Sequence, residues 1–136
     1  MKTLKNVLPV ILLIGLAAPV VGQQQGSDGK KVKSIIVYQE KHDMLVMHKY
    51  KDIEQYYDQR GNLIEDISYK QGKINKHFKY QYDSNNNKIR EEEYDPSGRL
   101  FESSEYKYEN GLRTEKIVYD PNKKIKSRKI YQYTMW

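Results

Sequence analysis

The chain has 136 residues, a formal net charge of +6 and no cysteine. Lack of cysteine excludes disulfide stapling and a lipid-modified N-terminal cysteine. Basic and acidic residues are interleaved, and Glu91-Glu92-Glu93 interrupts any basic stripe, so nucleic acid is not an expected partner.

Lys2 and Lys5 precede an uncharged, mostly apolar stretch over residues 7–21, with Pro19 near its end and Val20-Val21-Gly22 after it. This is the pattern of a secretory signal peptide at 1–22, cleaved after Gly22 to leave Gln23 as the new terminus. An uncleaved anchor is the competing reading, but a span needs about 20 apolar residues and this run is shorter. No stable membrane span is therefore expected after cleavage, and the expected location is the periplasm, the cell surface or the medium. Loss of Lys2 and Lys5 lowers the formal charge from +6 to +4. Residues 23–31 are polar and Gly-containing, which predicts a flexible linker.

The remainder, 32–136, is expected to be a single all-β domain. All thirteen tyrosines lie after Ser34, while aliphatic residues are sparse. Tyrosine must then supply much of the buried area, since its ring is apolar and its hydroxyl can stay wet. The most apolar stretches, Ile35-Ile36-Val37 and Leu45-Val46-Met47, fall in an atypical N-terminal cap at 32–56. Two opening strands are predicted there, over 32–40 and 44–57, with a bend near Tyr50-Lys51-Asp52. Consecutive apolar residues imply strands covered on both faces.

From 57 to 133 the sequence repeats with a period of about 25 residues, a spacing that signals stacked supersecondary units. Copies start at Tyr57, Tyr82 and Tyr108, and Tyr133 stands where a fourth would begin. Each copy holds two strand patterns separated by turn chemistry, predicting an antiparallel meander of about eight strands in a twisted or curled sheet. The turns are 58–62, 71–72, 83–87, 95–98, 110–111 and 120–123. Asn110-Gly111 is a strong two-residue hairpin signal. The aspartates at 58, 83, 95 and 120 suit the first position of a turn, where a carboxylate bonds backbone amides.

Turn lengths set an expected register. A two-residue loop at 71–72 pairs Tyr69 with Ile74, Ile67 with Lys76 and Leu63 with Tyr80. A three-residue loop at 96–98 pairs Tyr94 with Leu100, and a tight 110–111 turn pairs Tyr108 with Arg113 and Tyr106 with Glu115. Strict alternation then places all ten tyrosines from Tyr57 to Tyr133 on one face, in two rows at opposite strand ends. The other face is expected to be polar, with Ile64, Ile89, Phe101, Leu112, Val118 and Ile130 scattered on it.

Tyr57-Asp58-Gln59-Arg60-Gly61-Asn62-Leu63, Tyr94-Asp95-Pro96-Ser97-Gly98-Arg99-Leu100 and the closing segment Tyr80-Gln81-Tyr82-Asp83 resemble the YD repeat of the RHS superfamily. The resemblance spans 57–133, with Glu109 where the repeat has aspartate and Lys123 where it has glycine. It implies a curled hairpin sheet in a small exported bacterial YD-like protein. The cargo-enclosing shell of large RHS proteins is not implied, because the repeats are too few.

Candidate chemistry is thin. His42 and His48 could share a strand face, but no cysteine joins them, and metal sites need three or four converging ligands. Asp83 with Asn85, Asn86 and Asn87 offers oxygens to calcium without the spacing of an EF-hand loop. Glu91, Glu92, Glu93, Glu102 and Glu105 could supply a glycosidase pair, yet alternating charges on an exposed sheet explain them more simply. No enzyme activity and no cofactor are expected. The candidate binding face is Tyr80, Tyr82, Tyr106, Tyr108, Tyr131 and Tyr133. Two roles stay open for it: a core closed by curvature or by the cap, or an open platform for a glycan or an envelope protein. The corresponding functions are a binding or scaffold module of the bacterial envelope, or a structural and assembly-accessory protein there.

Overall fold

The computed structural model describes residues 31–136. The expected signal peptide, its cleavage point and nearly all of the linker lie outside the described residues. Eight strands form one antiparallel sheet in chain order: β1 (Ser34–Asp43), β2 (Val46–Tyr57), β3 (Leu63–Lys70), β4 (Lys73–Tyr82), β5 (Lys88–Tyr94), β6 (Leu100–Glu109), β7 (Leu112–Tyr119) and β8 (Ile125–Ile130). The meander is open, with β1 and β8 at its edges.

Local chemistry explains six of the seven turns. Four connections share one plan, at 58–62, 83–87, 95–99 and 120–124. The aspartate N–H bonds the carbonyl four residues on, and its own carbonyl accepts from the residue three on. One carboxylate oxygen of each aspartate accepts two more backbone N–H groups, at 2.8–3.0 Å. The fourth position of each has positive φ: Gly61, Asn86, Gly98 and Lys123. The Ser97 hydroxyl and the Arg99 and Ser97 amides hold the Asp95 carboxyl at about 2. The connections at 71–72 and 110–111 are two-residue turns with positive φ at both positions, the geometry that matches strand twist. Adjacent turns are clipped together as well: Asn62, 2% exposed, donates to both Asp58 and Asn86 at 3.0 Å.

Near the turns the expected register holds: Tyr69 pairs with Ile74, Tyr94 with Leu100, Tyr119 with Ile125 and Tyr108 with Arg113. Farther along each strand it fails. Ile67 pairs with His77 rather than Lys76, and Tyr106 with Lys116 rather than Glu115. Each strand after a turn carries one extra residue in its ladder: Ile64, Asn75, Ile89, Phe101, Thr114 and Lys126. These are β-bulges, and an inserted residue reverses the alternation beyond it.

The expectation of ten tyrosines on one face is therefore overturned. Tyr57, Tyr80, Tyr82, Tyr106 and Tyr108 share a first face. Tyr69, Tyr94 and Tyr119 lie on the second, where Tyr119 pairs with Ser103 and Tyr94 with His77, both out of phase with Tyr106 and Tyr80. Val118 moves too. It pairs with Ser104 on the first face and is buried there, not scattered on a polar one.

The cap differs in a second way. Its strands and the bulge at Asp52 fall close to where the sequence places them. They are not covered on both faces, however: Ile36, Val37, Tyr38, Val46 and Met47 are exposed. β1 is an edge strand, and no second layer packs on the sheet among the described residues. Tyr106, Ile117 and Val118 are the buried hydrophobic residues of the described chain.

Candidate functional site

The first face gathers its tyrosines toward the end of the sheet that carries the turns 58–62, 83–87 and 110–111. Its organising device repeats with the sequence. The hydroxyls of Tyr82, Tyr108 and Tyr133 donate to the carbonyls of Leu63, Lys88 and Arg113, at 2.9, 2.9 and 2.7 Å. Each bond ties a copy to the opening of the preceding one. Tyr57, first in the series, donates instead to Gln55 at 3.0 Å.

Cations stand between the rings. The Lys88 ammonium lies 5.0 Å from the Tyr80 ring centre and 5.1 Å from that of Tyr106. The Arg113 guanidinium lies 4.6 Å from Tyr106, 5.7 Å from Tyr108 and 6.0 Å from Tyr131. Across β4 to the chain end this makes a ladder of Tyr80, Lys88, Tyr106, Arg113 and Tyr131. Glu91 completes its centre by accepting from Lys88 and from the Tyr106 hydroxyl. Cation–ring contacts contribute about 0.5–2 kcal/mol each, more as water is excluded. A one-layer sheet here gains from side-chain stacking what a second layer supplies elsewhere.

The six candidate residues thus lie together but in unlike settings. Tyr106 is buried at 7% exposure; Tyr80, Tyr82, Tyr108 and Tyr131 are half-buried; Tyr133, at 49%, is open. The hydroxyls of Tyr82, Tyr106, Tyr108 and Tyr133 hold intramolecular bonds, and that of Tyr131 accepts from Arg113. The ladder was not visible in the sequence: the tight turn at 110–111 places Arg113 opposite Tyr108, but nothing there singles out Lys88 or brings either cation to Tyr106. Their signal is positional: Leu63, Lys88 and Arg113 are spaced 25 apart, at or next to the start of the strand that follows a repeat tyrosine.

Burial, then nearby carboxylates, pushes the Tyr80 and Tyr106 phenols far above the ordinary tyrosine range. Burial followed by the Asp58 charge takes Tyr82 up to about 12. A raised folded-state value means the neutral phenol stabilises the fold below the unfolded value of about 10, and this stabilisation is lost as pH rises through the folded one. Alkaline titration followed at 295 nm is expected to show two stages. Tyr82, at about 12, and the still higher Tyr80 and Tyr106 make up the later stage, together with loss of β-sheet signal. A single step near pH 10 with the sheet intact would refute the ladder.

The second face is a belt of carboxylates with basic and phenolic partners. Glu54, buried, accepts from Lys51 and Tyr56; Glu92 accepts from Tyr94 at 2.8 Å and Arg90 at 2.9 Å. Glu105 accepts from Arg90 at 2.9 Å and Tyr119 at 3.3 Å. His77 pairs with Glu65 at 2.7 Å and packs on the Tyr94 ring.

The remaining candidates fall into place by geometry. His42 and His48 sit on β1 and β2 at adjacent, non-partnered positions, so they point to opposite faces; His48 stacks on Tyr50. Asp83 spends its carboxylate on Asn85 and Asn87. Glu91 and Glu102 face the ladder side, paired with Lys88 and Lys126, while Glu92 and Glu105 face the belt and share Arg90. Among the described residues no group of three or more His, Asp or Glu is placed to hold a metal ion.

No family model and no curated protein matches the chain. Among solved structures it is similar to one titled "Crystal Structure of TarM", with 19% identity over 65% of this chain and a TM-score of 0.29. The chain spans 20% of that protein's length.

Proposed function

We propose that this chain is an exported, non-enzymatic interaction module of the bacterial envelope, which takes a glycan or peptide at the open end of its tyrosine ladder. The carrying observation is the unequal commitment of the six tyrosines. Tyr80, Tyr82 and Tyr106 hold the sheet, whereas Tyr133 is exposed beside the half-buried Tyr131 and Tyr108. Arg113 is the last cation of the stack, so a sugar ring or peptide side chain laid against Tyr131 would extend an alternation already built. Rigid tyrosine surfaces give contact area at low entropic cost. The envelope location follows from the signal-like N-terminus and the YD-type resemblance.

The single tryptophan, Trp136, is exposed and close in sequence to Tyr133, so its emission reports on this end of the sheet. Titration with soluble peptidoglycan fragments bearing stem peptides is expected to shift that emission. Tyr133→Ala is expected to weaken the response at least tenfold, about 1.4 kcal/mol, while costing the fold no more than its one exposed hydrogen bond to Arg113, about 1 kcal/mol. No response to any fragment, or an unaltered one in Tyr133→Ala, would favour the second reading, a structural or assembly-accessory role. The share of tyrosine hydroxyls bound internally supports that alternative.

A further inference from the structure

The β1–β2 hairpin outruns the sheet. β3 pairs with β2 only over residues 53–57, so residues 46–52 have β1 as their only neighbouring strand. The turn at 71–72 lies beside Tyr50, whose ring is 3.8 Å from the position of a Cβ on Gly72. The tip at 44–45 therefore stands roughly 15 Å beyond that turn, at about 3.3 Å per residue. Two-stranded ribbons are marginal in water, so a projecting arm needs a reason.

Its tip breaks the rule that every other turn obeys. The other two-residue turns end in glycine, and the five-residue turns begin with aspartate. Here the turn is Met44-Leu45, with Met44 at positive φ. Met44 is 102% exposed and Leu45 97%, with Val46 and Met47 above half. Apolar residues in a strained turn, fully in water, bring the fold no internal contact. Local violations of this kind mark functional positions.

What surrounds the tip identifies its partner. Lys41 and Lys49 flank it along the arm, and Lys70 and Lys73 flank the turn at the arm's base, all exposed. Over 40–52 and 70–73, lysines outnumber acidic residues five to three. An apolar tip with exposed lysines behind it complements an anionic bilayer surface. Flexible methionines suit a disordered acyl environment.

We propose that the tip at residues 44–47 is a membrane-interface anchor. It enters the acyl boundary of an anionic leaflet while Lys41 and Lys49 reach toward the headgroups and Lys70 and Lys73 face the anionic surface from behind them. The ladder face is then held clear of the surface. This site stands apart from the ladder's open end, and either reading can fail without the other.

Flotation with vesicles tests it, using the full chain in the form that the cell releases. Equal phosphatidylglycerol and phosphatidylcholine should retain the protein, and phosphatidylcholine alone should not. The decisive variant is Met44→Asn with Leu45→Gly, because asparagine tolerates the positive φ at position 44 and glycine accepts whatever backbone position 45 has, so the hairpin stays folded. It is expected to melt at the same temperature or higher, yet to bind anionic vesicles at least tenfold more weakly. Leu45→Trp should show blue-shifted emission on anionic vesicles, and Tyr133→Ala should bind as the parent does. Failure of the parent chain to float with anionic vesicles would overturn the proposal. So would a Met44→Asn, Leu45→Gly chain that floats equally well, or equal flotation on phosphatidylcholine alone.

Discussion

Replacing Tyr106 with alanine is expected to destabilise the protein by about 3–5 kcal/mol, the range for truncating a buried aromatic side chain. Tyr106 is 7% exposed at the centre of the ladder, within 5.1 Å of Lys88 and 4.6 Å of Arg113 by ring-centre distance. Truncation would empty the middle of the stack, strand the Lys88 and Arg113 charges against a cavity, and remove the hydroxyl donor to Glu91. Glu105→Ala, one residue earlier on the other face, is the control. Glu105 is partly exposed and bonds Arg90 and Tyr119. Ion pairs in such settings contribute up to about 1 kcal/mol, so the control should lose no more than that. Urea melts of both variants decide the matter. Equal losses would mean the ladder is not the core.

Inserting one alanine between Ser103 and Ser104 is expected to abolish the cooperative unfolding transition, although substituting the bulge residue Phe101 should not. Phe101 is the extra residue of β6, between Leu100, paired with Tyr94, and Glu102, paired with Glu93. Its ring is 53% exposed, so Phe101→Ser removes little beyond the contact with Lys126 and should change stability by about 1 kcal/mol or less. An insertion inside the ladder is another matter. Ser103 and Ser104 are buried and pair with Glu92 and Glu91 on one side and with Tyr119 and Val118 on the other. An extra residue between them either bulges out of two ladders at once or turns Ser104, Tyr106 and Tyr108 to the opposite face. Turning them inverts the central strand of the ladder, a loss comparable with the whole stability of a small domain, about 5–15 kcal/mol. Thermal melts by circular dichroism and dispersion of amide signals by NMR separate the two variants. An insertion variant that melts like its parent would show that the sheet absorbs an extra residue there.

Turns were legible in the sequence because they are closed by atoms only a few residues apart. Asp58, Asp83, Asp95 and Asp120 carry the acceptors for their own loops, and Asn110-Gly111 tolerates positive φ at both positions. From these came the strand order, the meander and the pairs nearest each turn. The connection at 44–45 was the exception. Met-Leu offers no turn chemistry, so the sequence showed only a gap between two apolar runs. Those runs also read as covered on both faces, when they belong to an edge strand and a projecting arm. Apolarity states what a segment would gain from burial, not whether anything lies against it.

Sequence periodicity determined that this protein is an open meander of tyrosine hairpins, and it set which residues stand at equivalent points of each copy. Tertiary structure alone decided which way those residues face. A bulge follows each turn, and no residue type announces it: Ile64, Asn75, Ile89, Phe101, Thr114 and Lys126 have nothing in common. Where the extra residue sits depends on the hydrogen bonds of two neighbouring ladders and on the twist they share, which are sums over distant parts of the chain. Each insertion reverses the alternation, so Tyr69, Tyr94 and Tyr119 joined the carboxylate belt, and Tyr80 and Tyr106 met Lys88 and Arg113 instead. A reading by strict alternation cannot see that reversal, because the spacing between the tyrosines is the same whether or not a bulge lies between them.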